Sequence, residues 1–490
     1  MSIPSSVRTV IVGAGFAGIA AGIALKRAGD DDFVILERAD SAGGTWRDNR
    51  YPGVACDVPA HLYALESHPW PEWSRTFAPG GEIRTYLDHV IDDAGLRAHI
   101  RFSHELTDAR WDGDGWAITV SAPVEIRSEH LVIACGRLTE PRVPQLPGVE
   151  TFDGPVFHSA RWPDGFDVAG KRIAVVGTGA SAIQLAPALA GLGAAVTVFQ
   201  RTPAWIMPRG DREHTHAELT AWRGTAGALT DTRAELYAEG EARFASRSGD
   251  TAAAEAASRS ALAHLHAHVA DPHLRAALTP DYAFGCKRVL LSDEFYPAIA
   301  AGIVGLEPSA LAAVDDGELV AASGSRHSAD AVVLATGFRA TRQPYASRIT
   351  GEHGSTLDEH WSGGFTAVAS TLVHGFPNLS VLGGPNATLG HNSAVLLIEA
   401  QAALMAELVS RDGAPIRVSA AAENEAVREV DALAAGTPWL TGGCRNWYVD
   451  ERSGRLTLIW PSTVSAFRER LDRVRTAFSA VPAQSGTSPA

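Results

Sequence analysis

Two strand–turn–helix–strand units, separated from the rest of the chain's strands by a long alanine-rich stretch, predict an α/β fold. It consists of two Rossmann-like dinucleotide-binding domains with an inserted helical subdomain. In the first unit, residues 9–12 form a short β-rich run that meets Gly13-Ala-Gly15-Phe16-Ala17-Gly18. A helical pattern over 19–27 follows, then a strand-like run over 33–36 that ends at Glu37. In the second, residues 172–176 meet Gly177-Thr178-Gly179-Ala180-Ser181-Ala182, and the next strand-like run is 195–199. The third observation is the stretch 211–280, rich in Ala, Glu, Arg and His and poor in strand formers, as over 252–268.

A lone G-x-G-x-x-G is a weak signal, but a strand before it and a helix and strand after it make it specific. The glycines let the backbone approach a pyrophosphate, and the helix N-terminus offers N–H donors and a positive dipole end. Glu37, nineteen residues after Gly18, suits a bond to ribose hydroxyls. Ala182 stands where the third glycine of the second unit would be, and Gln184 follows on the helix. Glu37 lies 24 residues after Gly13, and the same count from Gly177 reaches Arg201, followed by Thr202. An acid repels a 2′-phosphate whereas arginine binds it through a charge-assisted fork. The first unit therefore suits FAD and the second NADPH.

Strand signals return at 331–334 and lead into Ala335-Thr336-Gly337-Phe338; a similar run at 131–134 leads into Cys135-Gly136 and a Pro-rich stretch at 141–147. These read as crossings between domains. The expected division is an FAD domain in two parts, 1–142 and 343–483, and an NADPH domain in two parts, 143–210 and 282–342. The helical insert is 211–281 and a disordered tail is expected at 484–490. A length of 490 residues accommodates two or three cores. A net charge of -14 argues against a nucleic-acid surface and for small-molecule partners. Four cysteines without C-x-x-C spacing read as free thiols in a reducing compartment, and no apolar span of membrane length is evident. The expectation is a cytoplasmic protein that binds neither nucleic acid nor membrane. Of 42 basic residues only Lys26, Lys171 and Lys287 are lysine, which draws attention to Lys287.

Five further segments carry a family resemblance. Phe152-Asp-Gly154-Pro-Val-Phe-His158-Ser-Ala-Arg-Trp162-Pro163 has the form F-x-G-x-x-x-H-x-x-x-W-P. The others are Gly43-Gly44-Thr45-Trp46 through Asp57, Phe284-Gly-Cys-Lys287-Arg288, the run from Gly443 through Trp447-Tyr448, and Gly384-Pro-Asn386 through His391-Asn-Ser393. Together they resemble type I Baeyer–Villiger monooxygenases, class B flavin monooxygenases; the last is similar to the 4-hydroxyacetophenone monooxygenase branch.

The resemblance implies FAD, NADPH and O2, a ketone substrate, and an ester or lactone product formed through a flavin C4a-peroxide. It places Thr45, Trp46, Asp57 and Tyr63 around the flavin and the backbone of Leu106 at the adenine. Lys287 joins Arg201 and Thr202 at the 2′-phosphate, and Trp447 lies against the nicotinamide ribose. Arg288 is the implied catalytic residue, a fixed positive charge that cannot itself give up a proton, with Asp57 holding it in place. His158 is expected to brace or hinge the domains. One alternative is N- or S-oxygenation through the protonated hydroperoxide, against which the Trp162-Pro163 ending argues. A remoter one is a dinucleotide-binding protein without oxygenase activity, against which Arg288 and Asp57 argue.

Overall fold

The structure is a computed structural model and describes residues 3–122, 124–411 and 413–479. Two main sheets organise it. In the larger, Ser6–Val12 lies between Phe33–Leu36 and Glu125–Ile133, parallel to both, and Leu379–Val381 also pairs with Glu125–Ile133. The sheet extends through Trp116–Val120 and Leu106–Trp111 to Ile349–Thr350 on one side, and to Ile100–Arg101 on the other. Residues from both halves of the chain thus share one sheet. The second sheet is wholly parallel, in the order Val304–Glu307, Ala195–Phe199, Arg172–Val176, Ala331–Leu334, Val156–His158. Ala331–Leu334 is buried at every position, as an apolar run covered on both faces must be.

The helix read over 19–27 starts three residues earlier, as Phe16–Arg27 with Gly15 at its N-cap, because the glycine turn itself winds into the first helical turn. Both turns press against the end of a neighbouring strand. A Cβ on Gly13 (φ +109°) would lie 2.6 Å from the Ala134 carbonyl oxygen, and one on Gly177 (φ +117°) 2.5 Å from that of Ala335. Only glycine fits there.

The 211–281 stretch holds the helices His216–Gly224, Ala228–Ala242, Thr251–His268 and Pro272–Leu278. Thr215, Asp250 and Asp271 accept backbone N–H bonds at three of their starts, which fixes where those helices begin. The tail expected at 484–490 lies outside the described residues. Among the described residues no helix is long and apolar enough to cross a membrane.

One expectation is corrected. Cys286 and Cys444 form a disulfide across 158 residues, leaving Cys56 and Cys135 as the free thiols. The four cysteines therefore no longer indicate a reducing compartment.

Candidate active site

After the insert, the chain passes through residues 284–288 into the short strand Leu290–Leu291, which pairs in parallel with Ile206–Met207. This path delivers Arg288 to Asp57, 231 residues away in sequence: Nε donates to Oδ2 at 2.7 Å, and Nη1 donates to the Leu389 carbonyl at 3.3 Å. Both side chains remain about a quarter exposed. Burial pushes the Asp57 carboxyl up, but the Arg288 charge, the Arg288 hydrogen bond, a backbone hydrogen bond and the Arg209 charge together outweigh it and hold Asp57 below the usual carboxylate range. The same carboxylate holds Arg288 far above its already high value. Both groups therefore stay ionised throughout the neutral range. Arg209 adds a third charge nearby, donating from Nη2 to the Cys56 carbonyl at 2.9 Å.

On the flavin side, the residues present fit a dinucleotide. The turns at Gly15 and Gly44 face each other without side chains, so that a Cβ on Gly44 would lie 3.1 Å from the Gly15 Cα. A bare backbone cradle at the N-terminus of the helix that begins Phe16-Ala17-Gly18 suits a pyrophosphate. Glu37 is fixed beside it: Oε2 accepts from the Ala14 N–H and Oε1 from the Ala39 N–H, both at 2.9 Å, and Arg47 pairs with Oε1 at 2.9 Å. That leaves lone-pair capacity on Oε2 for a hydroxyl. Thr45 opens a short helix over Trp46, whose indole N–H donates to the Tyr63 hydroxyl at 3.2 Å. Leu106 begins its strand buried, and its carbonyl accepts from Arg348 at 2.6 Å, so one of its backbone groups is already engaged.

On the second unit, Gly179 has nothing within 4 Å of where a Cβ would stand, which leaves the helix entrance at Ala180 and Ser181 open to a phosphate. Thr178 Oγ1 donates to the Thr202 carbonyl at 2.7 Å and ties the turn to the following loop. Gln184 faces the other domain: its Nε2 donates to the Ala55 carbonyl at 3.1 Å, and its Oε1 accepts from the Tyr51 hydroxyl at 3.3 Å. Its amide is thus committed to the contact between the units.

The strand register corrects the residue count across the units. Gly13 N–H bonds to Leu36 and Gly177 N–H to Phe199, which makes Glu37 equivalent to Gln200 and Arg38 equivalent to Arg201. The path from turn to strand end is one residue shorter in the second unit, so equal counts do not reach equal positions. Gln200 is buried and donates from Nε2 to the Ala277 carbonyl at 2.7 Å. Arg201 is exposed and pairs with no carboxylate among the described residues. Lys287 lies 4.6 Å over the Tyr282 ring, and its pKa is lowered by burial and then by the Arg201 charge, so the two cations are neighbours.

His158 ends the strand Val156–His158. Its Nε2 donates to the Gly337 carbonyl at 3.0 Å while Nδ1 accepts from the Ala160 N–H at 3.1 Å. With both ring nitrogens engaged, it braces the crossing at 337 and has no free position for moving a proton. The Trp447 ring lies tilted at 38° against Tyr448, with 4.3 Å between ring centroids. Tyr448, Arg209 and Leu389 had no assigned role in the motifs. Tyr448 is fully buried in the electrostatic neighbourhood of Arg288, and burial raises its phenol pKa. Its place beside Trp447 in a recognised segment was the only signal for it.

Two glycine turns on separate sheets, each at the end of a strand with parallel neighbours, and an arginine–carboxylate pair assembled between them define a flavoprotein with two dinucleotide-binding domains. Residues 10–222 match the family described as pyridine nucleotide-disulphide oxidoreductase. The chain is 43% identical over 495 residues to a Baeyer–Villiger monooxygenase of Streptomyces coelicolor, covering 99% of this chain and 95% of that protein. It is 36% identical to a Baeyer–Villiger monooxygenase of Pseudomonas aeruginosa, covering 94% and 89%. The chain belongs to the Baeyer–Villiger monooxygenases. Its fold matches cyclohexanone monooxygenase from Rhodococcus sp. Phi1 bound to NADP+ with a TM-score of 0.86 and 28% identity, covering 98% of this chain and 99% of that one. The crystal structure of OTEMO complexed with FAD and NADP matches with the same TM-score at 26% identity and the same coverage.

Proposed function

We propose a division of labour among the residues of this enzyme, which converts a ketone, O2, NADPH and a proton into an ester or lactone, NADP+ and water. When bound, FAD supplies the reduced ring system that activates O2, and NADPH supplies the hydride that reduces it. The 2.7 Å contact between Arg288 and Asp57 carries the reading.

Arg288 keeps its proton at any working pH, so it stabilises negative charge developing on oxygen beside the carbonyl carbon without quenching it. Asp57 fixes the guanidinium and offsets the cost of its partial burial. Gly13, Gly15, Phe16, Ala17, Gly18, Glu37, Gly44, Thr45, Trp46 and Tyr63 hold FAD. The turn Gly177–Ala182, with Arg201, Thr202 and Lys287, holds NADPH, and Trp447 covers its ribose. The described residues within 1–142 and 343–483 form the flavin domain, and those within 143–210 and 282–342 the NADPH domain. Held by these residues, NADP+ would keep water away from the oxygenating centre.

The test is oxygenation of a panel of cyclic, aromatic and long-chain ketones under labelled O2. One label is expected in the product ester. For Arg288→Ala, flavin bleaching by NADPH is expected to persist while ester formation falls about 100-fold or more. Retained ester formation removes Arg288 from the mechanism, and efficient amine or sulfide oxidation with no labelled ester from any ketone overturns the reaction itself.

A further inference from the structure

Two arginines are at least nine-tenths buried, and they are treated differently. Arg470 pairs with Glu429 at 2.8 Å. Arg247, from the helical insert and 9% exposed, has no carboxylate within pairing distance among the described residues. Its Nη1 donates to the Arg243 carbonyl at 2.9 Å and to Ser246 Oγ at 3.0 Å. Its Nε and Nη2 make no hydrogen bond, yet neither is among the polar atoms sealed from solvent. Burial lowers the guanidinium pKa to about 10, with the Arg288 charge adding to the effect, so it stays charged at neutral pH.

A buried charge without a carboxylate partner is costly, and the Phe284 ring, 5.8 Å from the Arg247 Cζ, is a weak substitute for one. This charge stands against the active site. A Cβ on Gly390 would lie 3.6 Å from Arg247 Cδ and 3.7 Å from Nε, and the preceding residue, Leu389, accepts the hydrogen bond from Arg288. Two guanidinium groups therefore flank one two-residue segment: Arg288 is neutralised by Asp57, and Arg247 is left with free donors.

We propose that Arg247 binds a carboxylate on the substrate, so that the enzyme's preferred ketones are oxo acids whose carbonyl reaches Arg288. The assignment rests on the ketone-oxygenating reading above. Nε and Nη2 form the planar fork that pairs with a carboxylate, and the substrate's own charge would supply the missing partner. Arg201 and Lys287 already serve the dinucleotide phosphate, so NADP+ does not account for Arg247.

The holoenzyme is saturated with NADP+, which fills the phosphate sites, and titrated calorimetrically with heptanoate and methyl heptanoate. Heptanoate is expected to bind at least about tenfold more tightly. In turnover, kcat/KM for 6-oxoheptanoate should exceed that for its methyl ester. Arg247→Met should lower the ratio of acid to ester kcat/KM by about 10- to 100-fold, and Arg247→Lys should restore part of it. Equal binding of heptanoate and its ester by the wild-type holoenzyme overturns the proposal, and that measurement needs no variant to fold. A loss that falls equally on acid and ester in Arg247→Met also overturns it, as a brace would behave that way. If no ketone of any class is oxygenated, the reaction reading falls, and heptanoate binding still decides the role of Arg247.

Discussion

In the first dinucleotide unit the strand Phe33–Leu36 is followed by Glu37 and Arg38; in the second, Ala195–Phe199 is followed by Gln200 and Arg201. Both units therefore carry an arginine at the second place. They differ in whether an acid precedes it and whether the arginine is neutralised. Arg38 pairs with Glu140 at 3.2 Å, whereas Arg201 has no carboxylate partner among the described residues and gains Lys287 as a neighbour. On the proposed assignment, a preference for a phosphorylated ribose would follow from removing one carboxylate and leaving one guanidinium uncompensated, not from exchanging an acid for a base at one site.

The units also differ at the third turn position, where the largest effect is expected. A Cβ on Gly18 would come within 1.8 Å of the Gly13 carbonyl oxygen, whereas Ala182 carries its Cβ fully buried without such a clash. Gly18→Ala should cost about 3 kcal/mol or more through overpacking and yield protein with little bound flavin. Ala182→Gly should cost about 1 kcal/mol and retain NADPH-driven flavin reduction. Flavin absorbance per protein and thermal melts check both, and equal tolerance at the two positions would show that the turns are packed alike.

Next comes the free arginine. Arg201→Ala should raise KM for NADPH about 10- to 100-fold, the worth of a charge-assisted bond to phosphate, and leave KM for NADH almost unchanged. Gln200→Glu should act in the same direction by restoring the acid that the first unit has. Steady-state kinetics with both nucleotides reads the difference, and parallel losses for NADPH and NADH would deny Arg201 the 2′-phosphate.

A smaller effect lies in the pH dependence of Lys287. The ammonium is charged below its pKa, and burial together with Arg201 lowers that pKa. Its contribution to phosphate binding is thus full at lower pH and lost as pH rises through a value below the ordinary lysine one. KM for NADPH should rise a few-fold, by roughly one lost charged contact, at the alkaline end. In Arg201→Ala this limb should move to higher pH. An unmoved limb would mean that the two cations do not share a site.

Much of this was legible because short runs rich in β-branched residues mark strands. Phe33–Leu36, Arg172–Val176, Ala195–Phe199 and Ala331–Leu334 begin and end where the sequence places them. The equivalence of Glu37 and Gln200 was not legible, since a one-residue difference in a loop is invisible to counting and shows only in strand register. Nor was the Cys286–Cys444 bond, because pairing over 158 residues depends on where the insert returns the chain. Arg247 lies in a segment without any motif, and its unpaired state is a property of its surroundings rather than of its neighbours in sequence.

The smallest effect is expected at Arg38, and it tests the comparison most directly. Arg38 and Arg201 occupy the same place after the strand, so a role set by position alone would make their substitutions alike. The Arg38–Glu140 pair is exposed, at 40% and 30% for the two side chains, and such pairs contribute at most about 1 kcal/mol. Arg38→Ala should therefore shift stability by no more than that and leave flavin content and KM for NADPH within about twofold. Flavin titration and a melt suffice to measure it. Loss of FAD in Arg38→Ala would show that this arginine is used despite Glu140. Neutralisation would then not be what separates the two units, and Glu37 against Gln200 would have to carry the whole distinction.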